Sequence, residues 1–134
     1  RHLIEDQVFA RANFLEGNIS AVDKQTYDLL FDNIIHAAEL PHLIIYLKAD
    51  SAMCNERILR RSRDIEINTI DPEYLKTLET CYDEFEKRWG GERGFVTLDW
   101  SEFHDIECTF GAILKHLTEK SLKNFKKIKE KKKK

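Results

Sequence analysis

The sequence predicts an α/β fold in which a parallel sheet is flanked by helices. Two short apolar runs, residues 43–47 and 95–98, have the composition typical of strands buried in parallel sheets. Longer segments of helical periodicity alternate with them, which is typical of α/β domains. At 134 residues the chain is long enough for one domain with a hydrophobic core. We expect this domain to cover residues 1–118, followed by a lysine-rich tail over 119–134.

Two amphipathic helices are expected before the first strand. Residues 3–16 place apolar side chains at helical spacing, and Gly17 supplies a stop. Ser20 is the expected N-cap of a second helix over 20–39, which ends before Pro41. The apolar faces of these helices either cover the sheet or pair with a second subunit.

Three further helices are expected after the first strand. One begins at Ser51 and runs into an arginine cluster, and residues 67–70 then break the helical pattern. Asp71-Pro72 restarts it as an N-cap and a first-turn proline, and this helix ends near residues 89–91. The last helix follows the second strand, from about 105 to 117.

Two strands cannot form a stable open sheet, because the edges and faces of both strands need neighbours. We therefore expect the remaining strands to precede Arg1, so that the chain forms a partial domain.

The charge distribution is uneven along the chain. The net charge is -2, but nine of the 22 basic residues lie in residues 120–134 beside a single acid. Such a segment is typical of a solvated extension, with a nucleic-acid or anionic-surface contact as the alternative. No apolar run approaches the ~20 residues needed to span a bilayer, which excludes a transmembrane segment.

Three cysteines, Cys54, Cys81 and Cys108, occur without a CxxC pair. This count and spacing argue against a disulfide framework and against a zinc site. We expect buried or half-buried thiols in a reducing compartment, the cytoplasm, and we assign no metal-ligating residue.

The segment from Asn55 to Glu66 contains four arginines, at positions 57, 60, 61 and 63. Arg57 and Arg61 are four apart and share one side of a helix. A bend near Arg63 would let several guanidinium groups converge on phosphate oxygens. The alternative is a salt-bridged surface helix in which Glu56 and Asp64 are the partners.

A second charged cluster, Arg1-His2-Leu3-Ile4-Glu5-Asp6, opens the chain at a helix start. Acids in a first helical turn commonly serve the helix dipole. Arg1 stands just before that turn, where a strand end that meets a helix places polar side chains over the crevice of an open sheet.

Several segments gain meaning from their order along residues 1–117. They are Arg1-x-x-Ile4-Glu5-Asp6-x-x-Phe9-Ala10 with Asn13, Gly17-Asn18-Ile19-Ser20 with Tyr27, Leu43-Ile44-Ile45-Tyr46-Leu47-Lys48-Ala49, Glu56-Arg57-Ile58-x-x-Arg61-x-Arg63-x-x-Glu66, Glu73-Tyr74-Leu75 and Val96-Thr97-Leu98-Asp99. Together they resemble the deoxynucleoside kinase family, especially its bacterial deoxyadenosine/deoxyguanosine kinase branch. The resemblance implies a phosphate-loop kinase-like fold and phosphoryl transfer from ATP, with Mg²⁺, to the 5′-hydroxyl of a deoxynucleoside in nucleotide salvage.

On the substrate side, the resemblance implies roles for three residues. Arg1 would lie beside the substrate's 5′-hydroxyl and base and take part in catalysis. Asp6 would help to read the base edge, and Glu66 would accept a hydrogen bond from the sugar 3′-hydroxyl. The branch that is resembled favours a purine base.

On the phosphate side, the resemblance implies that Arg61 and Arg63 are catalytic lid residues that grip the transferred phosphate, Arg61 also contacting ATP. Arg57 would lie towards the adenine. The other residues expected near the adenine are in the loop after the second strand: Asp99, Glu102 and Phe103. The family's dimers also imply a homodimer through helices 3–16 and 20–39.

The sequence departs from the family's pattern at several points. His2 replaces the usual Ser or Thr, and Ile65 stands where a second lid acid is common. The phosphate loop GxxxxGK[ST] and its lysine do not occur in this sequence, so we expect the chain to be inactive alone.

Three alternatives stay open. The first is a non-catalytic remnant or binding module of the same fold. The second is a nucleoside monophosphate kinase, which the two charged clusters disfavour. The third is a nucleic-acid-binding protein led by its lysine tail. No membrane contact is expected.

Overall fold

The computed structural model describes residues 2–39, 41–91 and 94–131, with side chains described up to residue 118. Its elements are α1 (Leu3–Leu15), α2 (Ala21–Ala37), β1 (Ile44–Lys48), α3 (Ser51–Arg61), α4 (Asp64–Thr69), α5 (Pro72–Trp89), β2 (Phe95–Asp99) and α6 (Ile106–Lys131). The strands pair in parallel, with Ile44 opposite Phe95 and Lys48 opposite Asp99. The predicted α/β class, a parallel sheet flanked by helices, is therefore confirmed.

The helix starts follow from local capping chemistry. The Ser20 hydroxyl accepts a hydrogen bond from the Asp23 backbone N–H at 3.2 Å, and Asp50 accepts one from that of Met53 at 2.6 Å. Asp71 caps α5 ahead of a proline at the first helical turn. Each cap satisfies amides that the helix itself leaves unpaired.

The hydrophobic core lies between α1, α5 and β2. One residue per turn of α1 is buried, at Ile4, Val8 and Ala12, and these pack against Cys81, Phe85 and Phe95. A fully buried large apolar side chain contributes roughly 1.5–3 kcal/mol to stability. The packing of α1 against α5 therefore places the charged cluster at the start of the chain, residues 2–6, beside the sheet.

Burial of β1 differs from the expectation. α5 packs on the face of the strand that carries Ile44 and Tyr46, and Tyr46 stacks on the Tyr82 ring with 5.5 Å between centroids. On the other face, Ile45 and Leu47 are 43% and 45% exposed. The prediction that this strand is buried on both faces is wrong for this chain, because the described helices leave the second face largely uncovered.

Two further differences concern the helices. Residues 67–70 were expected to interrupt the helical pattern, but most of them belong to the short helix α4. The last helix continues to Lys131 instead of ending near residue 117. Lysines are good helix formers, so an alternation of lysines with occasional apolar residues can continue a helix as well as form a tail.

Cys108 is exposed, although a buried or half-buried thiol was expected.

A polar cluster joins both strands to α5. Lys48, the last residue of β1, donates hydrogen bonds from Nζ to Asp83 Oδ1 at 2.8 Å and to Glu86 Oε2 at 2.9 Å. Thr97 of β2 donates to Glu86 Oε1 at 2.6 Å. The hydrogen bond from Thr97 and then that from Lys48 hold the pKa of Glu86 below its usual value.

None of the helices in the described ranges has the length and apolar composition needed to cross a membrane.

Gly94 provides a test of the β2 entry. Its φ is +75°, its carbonyl accepts from the Ile44 N–H at 2.7 Å, and an added Cβ would lie 1.9 Å from the His42 carbonyl oxygen. We expect Gly94→Ala to lower the free energy of unfolding by about 2 kcal/mol or more, measured by urea titration. Gly91→Ala is the matched control, because its Cβ would meet no atom within 4 Å. Equal midpoints for the two variants would contradict this account.

The Glu86 cluster predicts a pH dependence of stability. Because the folded-state pKa of Glu86 is lowered, its contribution is fully present above the unfolded pKa of about 4.3 and is lost as the pH falls through the folded value. Unfolding free energies measured from pH 7 downward should therefore fall more steeply for the natural protein than for Glu86→Gln. Thr97→Val should give an intermediate slope. Parallel curves for all three would rule out this linkage.

Candidate active site

The arginine cluster lies on α3 and on the turn that follows it. α3 ends at Arg61, and its C-cap is Ser62, whose φ of 51° and ψ of 43° place it in the left-handed region. This reversal makes Arg63 the N-cap of α4 and brings Glu66 back towards the end of α3. The predicted bend is therefore present, one residue before Arg63.

Two of the arginines converge on one carboxylate. Arg61 Nη2 donates to Glu66 Oε2, and Arg63 Nη1 donates to Glu66 Oε1 at 3.0 Å. Partial burial raises the pKa of Glu66, but the hydrogen bonds from Arg63 and Arg61 outweigh it and lower that pKa overall. The carboxylate partner is thus Glu66, and not Glu56 or Asp64 as the salt-bridge interpretation expected.

The exposure of these arginines matters for their chemistry. The side chains of Arg61 and Arg63 are 50% and 64% exposed, whereas that of Glu66 is 23% exposed. Ion pairs this open to water contribute little to stability, typically about 0–1 kcal/mol. Guanidinium groups bind carboxylates and phosphates through the same geometry. An incoming phosphate can therefore exchange with the Glu66 oxygens at small cost to the fold.

Arg57 faces the loop after β2. Its Nη2 donates to the backbone carbonyls of Trp100 at 2.6 Å and Ser101 at 3.0 Å. Its guanidinium carbon lies 4.5 Å from the centre of the Phe103 ring, and that of Arg60 lies 6.0 Å from it. The structure thus brings together Arg57 and Phe103, two of the residues expected near the adenine, and adds Arg60, which the sequence interpretation did not single out.

A cavity of about 440 Å³ opens beside this stack. It is lined by Cys54, Arg57, Ile58, Arg60, Arg61 and Phe103. Asp99 ends β2 next to the loop, and the backbone N–H of Ser101 donates to its carboxylate at 2.9 Å and lowers its pKa. Glu102 is exposed in the same loop. A flat aromatic group beside a cationic surface is the kind of ligand that such a cavity fits.

A second cavity, of about 510 Å³, lies next to β1 and α1. Glu5, Glu79 and Cys54 line it, together with apolar side chains of β1 and α5. Cys54 lines both cavities, so both adjoin α3. The larger cavity is mostly apolar with a few acids, which is typical of a site for a small organic ligand.

The predicted substrate residues of the first cluster are placed differently from one another. Arg1 lies outside the described residues. Tyr27 OH donates to Asp6 Oδ2 at 2.9 Å, and burial, followed by this bond, raises the pKa of Tyr27. Glu5 accepts from Tyr82 OH at 2.6 Å and lines the larger cavity. The sequence interpretation assigned Asp6, whose partner is Tyr27, and assigned no role to the neighbouring Glu5, which lines the larger cavity.

The described residues contain no group of three or more His, Cys, Asp or Glu side chains that could hold a metal ion.

Comparisons with known proteins identify the family. The sequence model of the family described as deoxynucleoside kinase matches residues 1–123. The chain belongs to the deoxynucleoside kinase family. The family resemblance predicted from the sequence is confirmed, and the nucleoside monophosphate kinase alternative is disfavoured accordingly.

Curated members of the deoxynucleoside kinase family match most of the chain. It is 33% identical over 115 residues to a deoxyguanosine kinase of Dictyostelium discoideum, covering 84% of this chain and 40% of that protein. It is 36% identical over 107 residues to a deoxyadenosine kinase of the same organism, covering 80% and 43% respectively. The chain thus spans about two fifths of the length of these relatives.

Solved deoxynucleoside kinase structures share the fold. A deoxyadenosine kinase from M. mycoides with bound dCTP superposes with a TM-score of 0.71 at 28% identity, covering 89% of this chain and 62% of that one. The same enzyme with bound dATP gives a TM-score of 0.70 at 29% identity, covering 88% and 60%. The fold is therefore that of part of a phosphate-loop kinase.

Proposed function

We propose that the complete protein carrying this chain transfers a phosphoryl group from ATP to the 5′-hydroxyl of a deoxynucleoside, as a step of nucleotide salvage. In this proposal the chain supplies the lid arginines and part of the substrate site. The observation that carries it is the convergence of Arg61 and Arg63 on the single carboxylate of Glu66 in a member of the deoxynucleoside kinase family.

The first part of the proposed mechanism concerns the phosphate. Phosphoryl transfer spreads negative charge over the equatorial oxygens, and catalysis depends on positioning and on compensating that charge. Arg61 and Arg63 already surround two oxygen atoms of one anionic group. We propose that phosphate oxygens of ATP replace those of Glu66 between the two guanidinium groups.

The second part concerns Glu66 once it is released. A glutamate in contact with water is ionised at neutral pH, so the released carboxylate accepts hydrogen bonds. We propose that it accepts one from the 3′-hydroxyl of the sugar. A site that requires such a donor selects substrates that carry it, because an analogue lacking it leaves the acceptor unpaired.

The third part concerns the donor base. We propose that the adenine of ATP lies in the cavity beside Arg57 and Phe103, with the loop carrying Asp99 and Glu102 closing one side. The 4.5 Å stack of Arg57 on Phe103 offers a cationic and aromatic surface to a purine ring. Because two backbone carbonyls hold Arg57, this surface is formed before a ligand arrives.

The fourth part concerns the acceptor base. We propose that Arg1 and Asp6 contact the acceptor deoxynucleoside and that Glu5 of the larger cavity contributes as well. A preference for purines is supported by the names of two relatives, a deoxyguanosine kinase and a deoxyadenosine kinase.

Three cysteines without a disulfide suit a reducing compartment such as the cytoplasm.

The missing phosphate loop limits what this chain does alone. Backbone amides and a lysine around the transferred phosphate supply much of the charge compensation in phosphate-loop enzymes. We propose that the chain alone transfers phosphate very slowly or not at all. The competing hypothesis is a non-catalytic module of the same fold, and the assay below distinguishes the two.

We further propose that the complete protein is a homodimer paired through α1 and α2. Large apolar side chains are exposed along this surface. They are Leu15 at 48%, Val22 at 71%, Leu29 at 61%, Leu30 at 58% and Ile34 at 50%. Exposed apolar surface of this extent typically marks a protein–protein contact.

The test of the proposed reaction is a phosphoryl-transfer assay of the complete protein with ATP, Mg²⁺ and each deoxynucleoside. We expect transfer by the complete protein and none by this chain alone. Arg61→Ala should lower kcat by about 100-fold or more while changing the Kd of the deoxynucleoside little, because Arg61 contacts the phosphate. Arg88→Ala is the matched control, since Arg88 donates to Gln7 on the surface. A folded complete protein without transfer would favour the non-catalytic module, and an Arg61→Ala enzyme of natural kcat would sink the lid assignment.

The dimer is tested by light scattering after gel filtration. We expect the complete protein to have twice its monomer mass and Ile34→Glu to lower that mass towards the monomer, because the charge lies in the apolar surface of α2. Ile65→Glu adds the same charge on α4, at a side chain that is 81% exposed, and should leave the mass unchanged. A monomeric natural protein would refute the pairing.

A further inference from the structure

An acidic stripe on α5 faces the junction between β1 and α3. Glu79, Asp83 and Glu86 are spaced four and three apart, so they share one side of the helix. Asp83 and Glu86 hold Lys48 at the end of β1, at 2.8 and 2.9 Å. Glu79 reaches the next element, and its Oε2 accepts from the backbone N–H of Ser51 at 3.0 Å. The stripe thus grips the chain at the point where the strand becomes the arginine-bearing helix.

The bond from Ser51 to Glu79 differs in kind from the ordinary cap of α3. Asp50 precedes the helix and accepts from the Met53 N–H at 2.6 Å, so a local residue already caps the first turn. Glu79 lies 28 residues further along the chain, on α5. Its carboxylate also lies favourably at the positive end of the helix dipole. Beyond capping, this bond ties the direction of α3 to α5.

The geometry of α3 amplifies any change at its start. With a rise of ~1.5 Å per residue, Arg57 lies about 9 Å and Arg61 about 15 Å along the axis from Ser51. A tilt of about 10° at the start would therefore move Arg61 by roughly 2.5 Å. A misplacement of about 1 Å can lower the rate of an enzyme about 100-fold.

We infer that Glu79 is a positioning residue, whose carboxylate fixes the direction of α3 and thereby places Arg57 and Arg61 over the site. This inference rests on the proposed kinase function. Glu79 bonds to the Ser51 amide at the wall of the larger cavity, and it acts through that amide. α5 provides a firm reference for it, because the same helix is joined to β1 through Lys48 and to β2 through Thr97.

The experiment removes each partner of the bond in the complete protein. Glu79→Leu removes the acceptor. Ser51→Pro removes the donor but suits the first position of a helix, and the extended backbone of Asp50, with φ −71° and ψ 164°, tolerates a following proline. Glu79→Gln keeps an acceptor oxygen. Glu84→Ala is the control, because Glu84 lies elsewhere on α5 and pairs with Arg11 of α1.

We expect Glu79→Leu and Ser51→Pro each to lower kcat by about 10-fold or more and to change the KM of the deoxynucleoside by less than about 3-fold. The double variant should lose little more than either single one, because both remove the same bond. Glu79→Gln should retain kcat within about 3-fold, and Glu84→Ala should retain it fully. In hydrogen exchange, residues 52–61 should exchange faster in Glu79→Leu than in Glu84→Ala, and α1 of Glu79→Leu should exchange as in the natural protein.

A natural kcat in a folded Glu79→Leu protein would overturn the inference, as would a loss that Ser51→Pro does not reproduce. If Glu79→Leu does not fold, Ser51→Pro decides alone. If the natural protein transfers no phosphate, the proposed function fails, and hydrogen exchange separates the two ideas. Equal exchange of residues 52–61 in Glu79→Leu and Glu84→Ala would then overturn the anchoring of α3 as well, whereas faster exchange in Glu79→Leu would keep it.

Discussion

The two hydrogen bonds that Glu86 accepts, from Lys48 and Thr97, join both strands of the sheet to one helix. Because α5 binds both strands in this way, it fixes the relative positions of the two segments that follow the strands and carry the site. α3 begins three residues after Lys48, and the loop that holds Arg57 begins directly after β2. Without this link, the apolar packing of Phe85 and Phe95 would hold the layers together but would leave the ends of the strands less defined, because apolar contact is not directional.

Much of the fold could be predicted because it rests on local signals. The caps at Ser20 and Asp71 and the apolar runs of the strands require only nearby residues. The features that local signals did not indicate depend on residues that are distant in the sequence. Ile4 belongs to the charged opening cluster by sequence but is 2% exposed in the core, because α5 packs against it. Ile45 looked like core by composition but is exposed, because burial depends on which helices cover a strand.

The site shows the same division. The spacing of Arg57 and Arg61 indicated a shared helix face, and the family resemblance implied that Arg57 and Phe103 both lie near the adenine; in the structure they are in contact. The pairing of Glu66 with two arginines depends on a left-handed Ser62, a conformation that no strong signal in the sequence demands, since serine rarely adopts it. The contact of Glu79 with the start of α3 joins residues 28 apart. Neither helical periodicity nor a capping pattern reports such a contact.

The acids of this chain fall into two kinds, and the difference bears on function. Glu86 and Glu79 bind groups of the strands and of a helix start, namely a strand lysine, a strand hydroxyl and a helix amide. Glu66 binds two side chains that are half exposed or more, on a short helix that follows a strained residue. Replacement of the Glu66 carboxylate by another anion therefore disturbs few other contacts, whereas loss of the Glu86 carboxylate disturbs the sheet itself. In the proposed function, a lid that must open and close needs an acid such as Glu66, and the frame that directs it needs acids such as Glu86 and Glu79.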